Sequence, residues 1–589
     1  MLCRVYLEVD MEHYDFSSVK KSCRAFRRES RCSGHVYSGL SLAAVILGCW
    51  AGWNPTWAQE FLPTFHDVTE EAGIQFKHSY GDYRLSNIVE GTGAGVGCFD
   101  YDGDGFLDLY FLNGAWTEGV SDTRGRELRG KLFNALYRNQ GDGTFVEVTF
   151  LAGVGDPGFG FGCSAADFNA DGFLDLYVLN YGENRFYRNN GDGTFTEITE
   201  ETGLGNPLWS LSAVWFDADG DGDLDVYVAN YLQYDAGKFR WYYAAAGYPG
   251  PLSYHGQPDA LYQNNGDGTF TDVTEEAGVF QPEGRAMSVT AVDLDGDGLL
   301  DIYVPNDAME NYFFRNLGGG KFREEALEWG LAFGEGGQNV SSMGPSIGDI
   351  DRDGRLDLFI PDMSYSCLLV NRGHIFEDLT AQSNLALICG QYISWGSVLF
   401  DMDNNMYLDL FVTTGDAHFE FPDEDVLVWN DGTGRFVDVA NQCGEYFHHK
   451  RVGRGAAYVD YDNDGDLDLV VVNLNDVARL LRNDGGNRNN WLKVVPKTNG
   501  GRSDALGALV IVESGGIQQV QYMIPVVGYL SQSDNRLHFG LGKQAKADKV
   551  LIRWPDGRQA ELINIPANQL IEVVLDEDGG VQVLARALP

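Results

Sequence analysis

Basic residues are scarce: 42 Lys and Arg stand against 86 Asp and Glu, a formal net charge of −44. A surface of that sign repels phosphate, which excludes nucleic acid as a partner. The acids do not come in blocks and 13% of residues are aromatic, unlike the aromatic-poor acidic chains that stay disordered. Long apolar runs are missing too. Leu40–Trp50 covers 11 positions, short of the roughly 20 that a spanning helix needs, so no transmembrane span is expected in the mature chain. The nine cysteines show no C-x-x-C spacing, which argues against a zinc site or a disulfide framework. Cys98, Cys163, Cys367, Cys389 and Cys443 form an odd, scattered set. At most one bridge is expected among them, Cys367 with Cys389, and the others suit buried apolar positions. Neither H-E-x-x-H nor a phosphate loop nor a nucleophile motif occurs, so no catalytic residue is nominated.

The first 58 residues read as an export signal. Lys20, Lys21, Arg24, Arg27, Arg28 and Arg31 precede the apolar run, and Thr56-Trp57-Ala58 offers small residues for cleavage. Two exits stay open, cleavage after Ala58 or lipidation at Cys49 within Ile46-Leu47-Gly48-Cys49. Either one implies a secreted, periplasmic or surface-held protein.

What is abundant is glycine, 74 residues, and it belongs to a repeat. Seven nonapeptides begin at Asp100, Asp167, Asp217, Asp293, Asp349, Asp401 and Asp460. They read DYDGDGFLD, DFNADGFLD, DADGDGDLD, DLDGDGLLD, DIDRDGRLD, DMDNNMYLD and DYDNDGDLD. Each runs into an apolar segment such as LYFLN or VYVAN, rich in strand-forming residues. A second element follows, an L-Y-R-N strand end, a glycine turn and a strand that opens with Phe. Its asparagines are Asn139, Asn189, Asn264, Asn316, Asn371, Asn430 and Asn483, read here as turn residues that tolerate positive φ.

The Phe-led strands start at Phe65, Phe145, Phe195, Phe270, Phe322, Phe376 and Phe436. Phe65 has no Asn turn before it, and Asn483 has no Phe-led strand after it. One orphan at each end implies a ring in which the N-terminal strand completes the last blade. An open solenoid of the same units is the alternative, and solenoids need distinct caps. The expected fold is all-β: a seven-bladed β-propeller over residues 61–486, then a small C-terminal β-sandwich over 490–577, where the Asp loops stop.

The loops have the chemistry of a hard-cation site. Calcium takes six to eight oxygens. Positions 1, 3, 5 and 9 of each loop supply Asp100, Asp102, Asp104 and Asp108; Asp167, Asn169, Asp171 and Asp175; Asp217, Asp219, Asp221 and Asp225. Then come Asp293, Asp295, Asp297 and Asp301; Asp349, Asp351, Asp353 and Asp357; Asp401, Asp403, Asn405 and Asp409; and Asp460, Asp462, Asp464 and Asp468. Position 6 is Gly for the turn, and position 7 offers its carbonyl. An EF-hand needs Glu at position 12, where these loops carry Phe111, Val178, Val228, Val304, Ile360, Val412 and Val471. Bare acidic turns are disfavoured, because like charges a few ångströms apart repel by about 1 kcal/mol per pair even in water. Up to seven Ca²⁺ are expected. Loop six, residues 401–409, is expected to be weakest, with Asn405 for Asp and Met406 for Gly.

At these residues the chain resembles the FG-GAP/VCBS repeats of the integrin α propeller type. The tail, with Asn490-Trp-Leu, Asp504-Ala-Leu-Gly-Ala, Gly528-Tyr-Leu-Ser-Gln-Ser, Leu537-His-Phe-Gly-Leu-Gly and Trp554-Pro-Asp-Gly, is similar to an ASPIC/UnbV domain. Together they resemble the cartilage acidic protein-like family. That resemblance implies a calcium-loaded propeller acting outside the cell, with the loop aspartates as ligands, and it supplies no reaction.

Three classes of function follow. The first is a non-catalytic protein- or glycan-binding or adhesion module. The long insertion Tyr231–Pro258, with Trp241, Tyr242, Tyr243, Tyr248, Tyr254 and His255, could present rings to a ligand or pack upon itself. The second is a cell-envelope scaffold. The third is a carbohydrate-active enzyme built on His78, His255, His418, His448 and His449 with Glu420, Asp423, Glu424 and Asp425. His538, inside a strand, is expected to be structural.

Overall fold

A computed structural model describes residues 62–239, 247–363, 365–524, 528–575 and 580–586. The leader with Cys49, and Trp241, Tyr242 and Tyr243, lie outside the described residues.

Each repeat builds one four-stranded antiparallel sheet. In the first, strands Val96–Phe99, Asp108–Phe111, Ala135–Asn139 and Phe145–Glu147 lie side by side in chain order. The Asp loop joins the first strand to the second, and the Asn turn joins the third to the fourth. Seven such sheets occur among the described residues. The last is made from both ends of the region: Thr64–Asp67 pairs with Arg479–Asp484, beside Asp468–Asn473 and Gly453–Val459. There Phe65 faces Asn483, the register in which Phe145 faces Asn139 and Phe195 faces Asn189. The orphan strand therefore finds the orphan turn.

The second strand of each sheet is buried on both faces, as in Asp175–Asn180, because neighbouring sheets pack on either side. Every consecutive pair of sheets shares an apolar cluster. Another joins the last to the first through Val96, Leu109, Val459 and Val470. The result is a closed, propeller-like ring. Its innermost strands are rich in small residues, as in Gly160–Ala166 and Gly453–Val459. Strands crowd at the axis, and a Cβ on Gly162 would overlap the Leu211 carbonyl.

The C-terminal region holds two facing sheets. In one, Asn490–Thr498 lies between Leu537–Gly542 and the parallel strand Leu570–Leu575. The other runs Ile517–Tyr522, Leu509–Ser514, Lys546–Arg553 and Gln559–Pro566. Leu492, Val494, Val510, Val550, Phe539 and Ile571 fill the space between them. A further strand, Val581–Arg586, extends the first sheet past the expected end at residue 577.

This region is not a detached module, since the described residues from 62 to 586 belong to one compact unit. The segment Gly528–Asp534 enters the ring along its axis. Gln532 donates its N–H to the Val96 carbonyl and accepts from Cys98 N–H, both at 2.9 Å, and its Oε1 accepts from Ala165 N–H at 2.7 Å. Tyr529 reaches the Thr92 carbonyl at 2.9 Å, Gly95 and Gly344 leave room for the backbone to pass, and Gly455 leaves room for the Ser531 hydroxyl.

The five cysteines are all buried, and the Cys367–Cys389 bridge does not form. Cys367 lies in the cluster between the fourth and fifth sheets and Cys389 in that between the fifth and sixth, so the fifth sheet stands between them.

Ring closure also buries His78. It is 0% exposed, and its Nδ1 accepts from Asn475 N–H at 3.1 Å. Burial, helped by the positive charge of Arg454, pushes the imidazole down to about 3. A depressed histidine favours the fold above its unfolded value near 6.5 and loses that contribution as pH falls towards 3. Between pH 7 and 5 the protein should lose about 2 kcal/mol more stability than its His78→Gln variant. Urea unfolding at the two pH values is the measurement, and equal losses would show that His78 is protonated in the fold.

Candidate metal centres on the Asp-loop face

Loop one shows how the nonapeptide folds. Asp100 Oδ1 accepts from Gly103 and Asp104 N–H at 2.8 and 3.2 Å, and Oδ2 accepts from Gly105 N–H at 2.9 Å. The position-1 carboxylate is thus the hub around which the backbone winds. Winding needs left-handed residues at positions 4 and 6, Gly103 at φ 74 and Gly105 at φ 92. Position 4 keeps that conformation with Ala170, Arg352, Asn404 and Asn463, at φ 54 to 59.

The winding gathers carboxylates. Asp100, Asp102 and Asp108 each bring an oxygen within 4.8 Å of the others, as do the 217/219/225, 293/295/297, 349/351/353 and 401/403/409 triplets. In loop two Asn169 lies beside Asp171, Oδ1 accepting from its N–H at 3.1 Å and Nδ2 donating to its Oδ2 at 2.9 Å. Asp104 and Asp221, at position 5, accept from the position-7 N–H groups of Phe106 and Asp223 at 2.9 Å. In loop seven Asp460 is taken by the buried Lys493 ammonium at 2.5 Å, while Asp462 and Asp464 accept from loop N–H groups.

The position-9 aspartates are the deepest. Burial first, then neighbouring carboxylates, pushes Asp108 up to about 9 and Asp175, Asp301 and Asp357 up to about 8. Asp225 rises to about 7, and Asp409 and Asp468 rise well above the usual range. Asp102 Oδ1, Asp403 Oδ1, Asp460 Oδ1 and Asp466 Oδ1 are buried without a hydrogen-bond partner. Crowded oxygen donors, several of them unpartnered, fit a hard divalent cation, and all-oxygen donation suits calcium or magnesium rather than zinc. Surface arginines moderate some loops, with Arg138 on Asp102 at 3.2 Å and Arg372 on Asp351 at 2.8 Å.

Loop six departs in composition and keeps the geometry. Asn405 and Met406 donate their N–H groups to Asp401 at 2.9 and 2.7 Å, as their counterparts do. Met406 is left-handed at φ 81, a conformation costing of order 1–3 kcal/mol for a non-glycine residue. Its side chain is buried in the apolar cluster that fills the C-terminal region, worth about 1.5–3 kcal/mol. Methionine at a glycine position is therefore an anchor between the ring and that region.

Sequence reading missed the second duty of the asparagines. Position-9 Oδ1 accepts from the Asn N–H in all seven sheets, at 2.8–2.9 Å. The Asn side chain then donates across to position 2 of the preceding loop: Asn189 to Tyr101, Asn264 to Phe168, Asn316 to Ala218, Asn371 to Leu294 and Asn483 to Met402. Asn139 closes the circle on Tyr461 at 2.8 Å, and Asn430 bonds Leu408 of its own sheet. The recurrence of Asn at that strand end was the available signal.

Four of the five candidate histidines have other partners. His78 is sealed against Asn475, His255 pairs with Glu283, His449 with Glu445, and His418 stacks on Tyr248. Glu420 takes the Tyr80 hydroxyl and the Asn475 amide, and Asp425 is buried under the Tyr446 hydroxyl. Tyr248 and Tyr254 point inward with Trp209, Tyr231, Trp395 and Tyr529, so these two rings of the insertion pack down rather than face a ligand. His538 is structural, at 2.6 Å from Asn404 Oδ1.

Comparison with known proteins agrees with this layout. A model of FG-GAP-like repeats matches residues 100–178, 167–228, 252–304 and 401–471, and a model of ASPIC and UnbV matches 498–580. The chain carries FG-GAP repeats and an ASPIC/UnbV domain. Its homologues include Cartilage acidic protein 1 of Mus musculus and of Homo sapiens. Each is 26% identical over 340 residues, 54% of this chain and 50% or 49% of the relative. The chain thus spans about half the length of these curated relatives. Among solved structures, one titled for recognition of non-reducing terminal N-acetylglucosamine by an Agrocybe aegerita protein covers 65% of this chain and 86% of its own. It does so at 18% identity and a TM-score of 0.38, too loose a likeness to argue from.

The clasp between FG-GAP repeats can be tested by Asn189→Ala. It orphans the Tyr101 and Leu174 carbonyls, so urea unfolding should show a loss of about 1–3 kcal/mol. Unchanged stability would mean the amide adds nothing to the seam.

Proposed function

We propose that the protein is an exported, calcium-stabilised seven-bladed β-propeller that serves as a non-catalytic binding module for a protein or a glycan. The observation carrying the calcium reading is the gathering of carboxylate oxygens within 4.8 Å in loops one, three, four, five and six. FG-GAP repeats on that face support it. Export is supported by the basic and apolar leader in the sequence and by homologues named for cartilage. No helix among the described residues is long and apolar enough to cross a membrane.

The C-terminal domain occupies the Asp-loop face and the axis, so a partner is best placed on the opposite face. There the connections leave the second strand of each sheet. Phe421, 61% exposed, stands on the connection after Asp409–Thr414, and Tyr83, 56% exposed, on the connection from Thr64–Asp67 to the first sheet; the Tyr80–Glu420 hydrogen bond joins the two. Aromatic rings held on a rigid ring suit stacking on a sugar or anchoring a protein loop. The sequence carries no nucleophile motif, phosphate loop or H-E-x-x-H, which favours binding over hydrolysis.

Two readouts test this reading. A calcium chelator should lower the thermal midpoint, and added calcium should restore it by mass action; an unmoved midpoint would mean the loops are not metal sites. Screened on arrays of glycans and extracellular proteins, the protein should capture a ligand that Tyr83→Ser with Phe421→Ser no longer holds. Capture unaffected by that pair would move the site elsewhere, and turnover of an arrayed polysaccharide would favour the enzyme class.

A further inference from the structure

The seven loops differ in what covers them. In loop three Asp221 and Asp223 are exposed and Asp217 and Asp219 half-buried. In loop six Asp401, Asp403 and Asp409 are 4%, 5% and 0% exposed. We propose that loop six, the most degenerate of the seven in sequence, holds a divalent cation sealed beneath the C-terminal domain, which leaves only when that domain lifts. This rests on the calcium reading above.

Charge makes the first part of the case. Asp401, Asp403 and Asp409 place one oxygen each within 4.8 Å, and Asp403 Oδ1 is buried with no hydrogen-bond partner. Loops one, four and five have arginines against Asp102, Asp295 and Asp351, and loop seven has Lys493 against Asp460. Among the described residues no Lys or Arg pairs with the loop-six aspartates. Three buried carboxylates with no counter-charge are costly, and a cation is what would compensate them. Trp429 Nε1, on Asp403 Oδ2 at 3.3 Å, is a neutral donor and leaves the charge in place.

The lid is the second part. Strand Leu537–Gly542 lies on the loop so closely that a Cβ on Gly540 would overlap Asp401 Oδ2. Gly542 N–H donates to the Asn404 carbonyl at 2.8 Å, His538 Nε2 meets Asn404 Oδ1 at 2.6 Å, and Asn489 Nδ2 donates to the Asp403 carbonyl at 2.7 Å. Met406 passes from the loop into the core on the other side. An ion behind these contacts exchanges through local opening of the lid, whereas an ion in loop three faces solvent.

The test is a count of calcium against time. Calcium-loaded protein is mixed with excess EGTA and the retained metal measured by elemental analysis. One ion per chain should leave about tenfold or more slowly than the rest, as expected of exchange gated by local opening. Asp403→Asn should abolish that slow ion, Asp219→Asn should leave it in place, and His538→Ala, which keeps every ligand, should speed its release. Hydrogen exchange of the unaltered protein gives a readout that needs no variant: Asn404–Asp409 should stay protected in EGTA after loop three has become fast. A single fast phase, or a slow ion that survives Asp403→Asn, overturns the sealed site and leaves calcium binding standing. Absence of any bound calcium overturns both.

Discussion

Each sheet of the ring depends on one carboxylate, the last aspartate of its Asp loop. Asp108 receives Tyr101 N–H on one oxygen and Asn139 N–H on the other, at 3.0 and 2.8 Å. That closes the loop and aligns the third strand with the second. Asn139, so placed, spends its amide on the neighbouring sheet. Position 9 is thus also where the electrostatic cost concentrates, since it is the most buried acid and stands among other acids. A cation in the loop would relieve that cost at the point on which the hydrogen-bonded seam relies.

The same logic extends to the C-terminal domain. It meets the position-1 carboxylates of several loops, through Ser503 on Asp167 at 2.7 Å, Tyr522 on Asp293 at 3.3 Å and Lys493 on Asp460 at 2.5 Å. It also fills the axis with Gly528–Asp534, whose backbone bonds to innermost strands that sheet pairing leaves open on one side. Ring and domain are therefore two halves of one core, and the face left for a partner is the one with the long connections.

Much of this was legible in the sequence. Seven nonapeptides with buried strands behind them marked the sheets, and the unmatched Phe65 and Asn483 marked the closure, because both features are local or a matter of counting. What was not legible depends on contacts across long stretches of chain. Met406 read as a defect of its loop, since its reason, the apolar core of the C-terminal region that it joins, lies elsewhere in the chain. The asparagines read as turn residues, which they also are: Asn139 Oδ1 accepts from Gly141 N–H at 3.0 Å. Their second bond leaves for a sheet that only the fold brings near. Cys367 and Cys389 are close in sequence, yet a sheet stands between their clusters. Tyr248 and Tyr254 could be read either as a presented surface or as internal packing, because the apolar cluster they join includes Tyr529 from far along the chain.

Closure by a strand about 400 residues distant from its partner is the claim on which the ring stands, and a truncated chain lacking Phe65–Gly73 tests it directly by hydrogen exchange. Thr64–Asp67 pairs with Arg479–Asp484, so exchange should become fast at Leu480–Asn483 and spread to Leu469–Asn473, far from the deletion in sequence. Fast exchange confined to Val96–Phe111, with Leu480–Asn483 still protected, would contradict it.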